Sequence, residues 1–292
     1  MVPNIYDKIE ECWRAGYADM HREPPPRNGF HEMLLEVETE ARGTTTDGLQ
    51  PQLGIFEFGL EWLAYVHVAL GKRAELGPAH EDARAAWALM GAAVSFGLSI
   101  RSLCMNGFDT PGRALLRTYV ETLFLCIALL HDRSLAKAYI AAENDAQVKN
   151  FWHRSASPKN LHERIIMIEK RLGLEDAVVQ SLAQWRQGEY EMLSQSSHLS
   201  YLAAALTAVC PKLGEGETYA PGILGLASDH SLRTISYAAR STWYFSRMSN
   251  SQLLGKDSSQ SLIVLDKENE WHQRMVAGRD TLSAVTLEHW ES

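Results

Sequence analysis

Cysteine is scarce in this chain, four in 292 residues, and Cys12, Cys104, Cys126 and Cys210 are too far apart to form a C-x-x-C pair. Redox and zinc motifs built on that pair are excluded. With Cys104 and Cys126 inside apolar runs, the thiols are expected to act as small core hydrophobes of a reduced, cytoplasmic protein. Long basic runs are also missing. The chain has 28 Lys and Arg against 36 Asp and Glu, a net charge of −8, which argues against non-specific nucleic-acid binding through clustered cations. G-x-S-x-G, H-E-x-x-H, Glu-x-x-His and any Gly-rich phosphate loop do not occur. Nucleophile-elbow hydrolases, zincins, di-iron bundles and phosphate-loop enzymes therefore lose their sequence basis, and no metal or cofactor is expected. The opening M-V-P-N-I-Y-D-K-I-E-E lacks the basic-then-apolar layout of a secretory leader. No stretch reaches the roughly 18–20 unbroken apolar residues that span a bilayer, so the expectation is no membrane partner.

What the chain does have is helical periodicity from end to end, with no convincing strand. Helical patterns run over 4–18, 30–41, 53–70 and 79–105, with 43–50 read as a loop and Asn106-Gly107 as a stop. Thr110-Pro111 predicts an N-cap and first-turn proline for a strongly apolar helix over 110–130. Ser134 is expected to cap a helix to about 149, and Ser157-Pro158 to open another ending at Gly173. A pattern over 174–209, interrupted near Gly188, precedes a loop at 211–222. Helices are then expected over 226–248 and 262–290, joined by the linker-like stretch 249–261. The fold class read from this is all-α: a multi-helix bundle with N-terminal packing helices, one domain over 1–250 and a C-terminal helical extension over 251–292.

Two segments carry candidate chemistry. Arg113, Arg117 and Glu121 are spaced by four on the greasy helix, so they stack on one stripe among Leu115, Leu116, Val120 and Leu123. Glutamate following arginine is the weaker order for a helical pair. This leaves a guanidinium fork to reach a carboxylate or phosphate elsewhere. Buried charges of this kind are either a structural clamp or part of a site. About 70 residues later, Tyr190, Ser194 and His198 recur at the same spacing, placing two hydroxyls and an imidazole on one stripe. His198 is the candidate acid–base residue. Arg113, Arg117, Glu121, Tyr190 and Ser194 are the candidate binding residues. Trp271, Met275, Leu282 and Val285 either pack inward or form a homodimer seam.

The helix G-R-A-L-L-R-T-Y-V-E (112–121) and the segment Y-E-M-L-S-Q-S-S-H (190–198) together resemble a widespread family of uncharacterised helical bacterial proteins. That family shows an Arg-x3-Glu helix and a later Tyr-x2-Leu-Ser-x3-His segment. Arg117, Glu121, Tyr190, Leu193, Ser194 and His198 match, within a family-like core over 106–210. The resemblance implies architecture and a pocket, not a reaction. A more distant similarity is to HEPN domains of bacterial toxins and defence systems, whose RNA-cutting members use Arg-x(4–6)-His without metal. Arg14-x6-His21 and Arg73-x6-His80 satisfy that spacing, but one contains Gly16 and the other crosses Gly77-Pro78. The expected function is a ligand-binding or sensing module in bacterial stress or phage defence. The alternatives are a metal-independent HEPN-like ribonuclease and a purely structural scaffold. The expected partners are a second copy of the chain and a small anionic ligand or RNA.

Overall fold

A computed structural model describes residues 5–24, 28–74, 81–197, 201–216, 218–255, 261–264 and 266–290. Among them are thirteen α-helices and four very short strands, an all-α multi-helix bundle. The chain runs α1 (Ile5–Asp19), α2 (Asn28–Gly48), α3 (Gln52–Ala74), α4 (Glu81–Met105), α5 (Asp109–His131), α6 (Arg133–Ile140) and α7 (Asp145–Phe151). A π-helical turn at Trp152–Ala156 leads into α8 (Pro158–Arg171), α9 (Asp176–Ser197), α10 (Tyr201–Ala208), β1 (Val209–Pro211) and β2 (Tyr219–Pro221). Then follow α11 (Asp229–Met248), α12 (Asn250–Leu253), β3 (Leu254–Gly255), β4 (Ile263–Val264) and α13 (Glu270–Glu288). β1 and β2 are antiparallel with Cys210 opposite Ala220, and β3 and β4 are parallel with Leu254 opposite Ile263. Both pairs are too short to alternate apolar and polar residues, which is why no strand pattern is visible in the sequence.

Burial decides several boundaries that propensity alone misplaces. The stretch expected as a loop at 43–50 belongs mostly to α2, because Ala41, Thr45 and Leu49 lie on one face and are all buried. Thr46 returns its hydroxyl to the Arg42 carbonyl at 2.8 Å, a local bond that lets threonine sit inside a helix. The cap before α6 is Asp132 rather than Ser134, its carboxylate accepting from the backbone N–H groups of Ser134 and Leu135. The helix expected to reach 149 divides, and Asn144 caps α7 by accepting from the Gln147 N–H. α9 runs through Gly188 unbroken. Gly107 does stop α4: its φ is +76°, and a Cβ there would lie 2.1 Å from the Leu226 nitrogen.

α5 is the central rod, packed against α4, α6, α8, α9 and α11, while α3 packs on α4, α11 and α13. Leu116, Tyr119, Leu123, Cys126 and Ile127 of α5 are fully buried, and the Tyr119 hydroxyl meets that of Thr242 on α11. α13 joins the core directly. Met275 and Leu282, half of the proposed dimer seam, are fully buried within the chain. The Trp62 indole N–H of α3 donates to the Met275 carbonyl at 2.9 Å. A Cβ on Gly278 would meet the Trp62 ring at 2.8 Å, so that position must stay small for the two helices to approach.

The expectation of no membrane partner is overturned. Three helical stretches, Gln52–Lys72, Glu81–Met105 and Asp109–His131, are long and apolar enough to cross a membrane by length and composition. Counting unbroken apolar runs misses them. Single glycines, serines and one or two charges interrupt a run without bringing the mean hydropathy below what a bilayer accepts. In this structure many of their apolar side chains face one another in the core, least completely in α4, where Trp87 and Leu98 stay exposed.

Because Trp62 is both a buried ring and the hydrogen-bonded anchor of α13, Trp62→Ala is expected to cost about 3–5 kcal/mol, the range for removing a buried aromatic. Equilibrium urea unfolding measures it. A cost under about 1 kcal/mol would contradict the packing of α13 on α3.

Candidate functional site

The charged stripe of α5 serves two neighbours, for a geometric reason. Four residues advance an α-helix by slightly more than one turn, about 40° of drift per step, so Asp109 and Glu121 end up about 120° apart. The first half of the stripe faces α11. There Arg113 donates to Asp109 Oδ2 at 2.9 Å, and the Thr234 hydroxyl donates to Asp109 Oδ1 at 2.8 Å. Arg113 also points at the His230 carbonyl at 3.5 Å, and His230 Nδ1 stands 3.8 Å from Asp109. Arg113 and Asp109 are both buried, so this group is a clamp between α5 and α11. α5 starts at Asp109, one residue before the expected Thr110 cap, and carries no side-chain cap because its N-cap position is Phe108, which has no side-chain acceptor. The Asp109 carboxylate is used across the interface.

The second half of the stripe faces α9. Arg117 donates through Nε to Glu121 Oε1 at 3.0 Å and through a terminal nitrogen to the Tyr190 hydroxyl at 2.6 Å. That hydroxyl donates in turn to Glu121 at 3.3 Å, closing a triangle, and the guanidinium carbon lies 5.0 Å from the Tyr190 ring centre. Burial, then the nearby Glu121 carboxylate, push the Tyr190 phenol above its ordinary pKa, so it stays protonated and can donate. The two segments singled out in the sequence therefore meet through Arg117, Glu121 and Tyr190. Ser194 is half-buried one turn further along α9. His198 lies outside the described residues, and Arg113 belongs to the separate clamp.

Sequence reasoning missed the most deeply buried polar group of this region. Arg186 on α9 and Glu169 on α8 are almost wholly buried and form a two-pronged pair, with one nitrogen 3.0 Å from Glu169 Oε2 and the other bonded to Oε1. The Tyr244 hydroxyl of α11 donates to Glu169 Oε1 at 2.6 Å. The signal was present in the sequence. Leu161, Ile165 and Ile168 make the apolar stripe of α8, and Glu169 continues it one turn after Ile165, so a carboxylate sits where a core residue belongs. Arg186 likewise precedes Tyr190 by four.

Between α5, α8 and α9 lies a cleft of about 430 Å³. Val120 and Phe124 line it from α5, Leu161 and His162 from α8, Arg186 and Tyr190 from α9. Glu121 also borders it, which ties the cleft to the Arg117 triangle. Burial and the nearby Arg186 charge lower the His162 pKa, leaving a neutral imidazole at pH 7 with one donor and one acceptor. Among the described residues no group of three or more His, Cys, Asp or Glu side chains could hold a metal ion. No family model, curated protein or solved structure matches this chain.

Two expectations follow. Arg186→Met leaves Glu169 charged and unpaired in the core and should cost about 3–5 kcal/mol, whereas the double variant Arg186→Met/Glu169→Leu should recover most of it. Thermal and urea unfolding of the two variants test this, and equal losses in both would contradict the pair.

Burial also lowers the pKa of His131 and His230 below the usual histidine value. The unfolded chain then binds more protons than the folded one between the folded and the ordinary values. The contribution is complete above about pH 6.5 and is lost as the pH falls through the lower folded values. The urea midpoint should therefore fall from pH 8 to pH 5.5, and His131→Gln/His230→Gln should flatten that slope. An unaltered slope in the double variant would rule these histidines out.

Proposed function

We propose that the chain is a small-molecule binding module whose site is the cleft between α5, α8 and α9. The observation that carries this reading is the cleft's makeup. It is an indentation of pocket size, walled by apolar side chains, with a few polar groups converging at Glu121, His162 and Tyr190. Sites for small ligands have this mixture of apolar body and sparse polar contacts. The Arg117–Glu121–Tyr190 triangle gives such a site a fixed border, because three mutual hydrogen bonds hold these side chains before a ligand arrives.

The border also redirects the expectation of an anionic ligand. One edge of the Arg117 guanidinium is already in use: its Nε is committed to Glu121 and a terminal nitrogen to Tyr190. A ribonuclease would need Arg113 or Arg117 to leave its carboxylate before meeting a phosphate. The closed triangle favours a scaffold role for Arg117 itself, and the two roles separate experimentally. In a scaffold-only protein the cleft would be idle.

Saturation-transfer NMR with a collection of uncharged aromatic fragments tests the reading. Fragments should bind the wild-type chain and lose most of their signal with His162→Trp, whose indole fills the cleft from a half-buried position. The same set of bound fragments in both proteins would refute a site here. Arg117→Ala, on a partly exposed pair, should cost only about 1 kcal/mol of stability.

A further inference from the structure

The charges around the cleft cancel one another, and this limits what it can hold. Four charged residues line it: Glu121, Lys159, Glu163 and Arg186. Arg186 is neutralised by Glu169 in the two-pronged buried pair. Glu121 is neutralised by Arg117. Lys159 and Glu163 are opposite in sign, exposed, and four apart on α8. No net charge is left to receive an ion. A charged ligand entering would lose its hydration against Val120, Phe124 and Leu161, with only the exposed Lys159 or Glu163 at the rim to answer its charge, where water screens the pair. A neutral one loses only apolar contact with water, which favours binding.

Resting on the reading of the cleft as a binding site, we infer that its ligand is an uncharged, largely apolar ring compound carrying one hydrogen-bonding group. Val120, Phe124 and Leu161 take the apolar body. His162 takes the polar group, as donor or acceptor according to its tautomer, since the neutral ring offers both. Glu121 and Tyr190 define the border of the site through their mutual hydrogen bond and do not bring net charge to it.

Two fluorescent probes with the same naphthalene–phenylamine skeleton test the inference. N-phenyl-1-naphthylamine is neutral, and 8-anilino-1-naphthalenesulfonate adds a single negative charge. Fluorescence titration of the full chain should show one site for the neutral probe, at least tenfold tighter than for the sulfonate. His162→Trp should weaken the neutral probe at least tenfold while leaving the far-ultraviolet circular dichroism and the melting temperature close to wild type. Gln187→Trp, from the exposed rim of the same cleft on α9, provides the same blockade should His162→Trp fail to fold. Equal or tighter binding of the sulfonate, blocked by the same variants, overturns the inference about charge while upholding the site. Neutral binding untouched by either tryptophan, or no binding of either probe, overturns both.

Discussion

Glu169 and Arg186 occupy the place where three helices must meet, and the rest of the site depends on how their charges are shared. A carboxylate and a guanidinium taken out of water gain stability only if nearly every polar atom finds a partner. Here the planar fork of Arg186 meets both carboxylate oxygens and Tyr244 supplies a third hydrogen bond from α11, while the buried Arg186 Nε has no partner among the described residues. That geometry fixes the spacing of α8 and α9. The cleft lies beside this pair, with Arg186 in its lining. The same pair cancels the charge that Arg186 brings to the cleft lining.

The α5 stripe shows how one helical pattern can serve two purposes. The drift of the four-residue spacing carries Asp109 and Arg113 to α11 and Arg117 and Glu121 to α9. One half becomes a buried clamp and the other the border of a cleft. α5 also belongs to the group of helices apolar enough to suit a bilayer. The physical demand is shared: a central rod in a bundle and a membrane span both need apolar side chains on most faces, and both tolerate a few paired charges.

Much of the helical architecture was legible in the residues. The stop at Gly107, the start of α8 at Pro158 and the extent of α5 follow from local rules about φ, N-terminal proline and apolar periodicity. The errors fell where tertiary burial competes with local preference. Three consecutive threonines read as a loop until Ala41, Thr45 and Leu49 are seen packed on the core. A serine looked like the cap before α6 until Asp132, two residues earlier, proved better placed to accept the free N–H groups. The meeting of Arg117 with Tyr190 has a simple basis: both lie on polar stripes of apolar helices, and such stripes must face something polar.

From the order of residues alone came the all-α class and the two polar stripes, since both are properties of spacing along one helix. Which stripe residues would share a site, that Arg113 would leave the group, and that Glu169 would join Arg186 were decided only by the fold. Those outcomes depend on the angle at which separate helices cross, and that angle is set by packing among residues scarcely related in sequence.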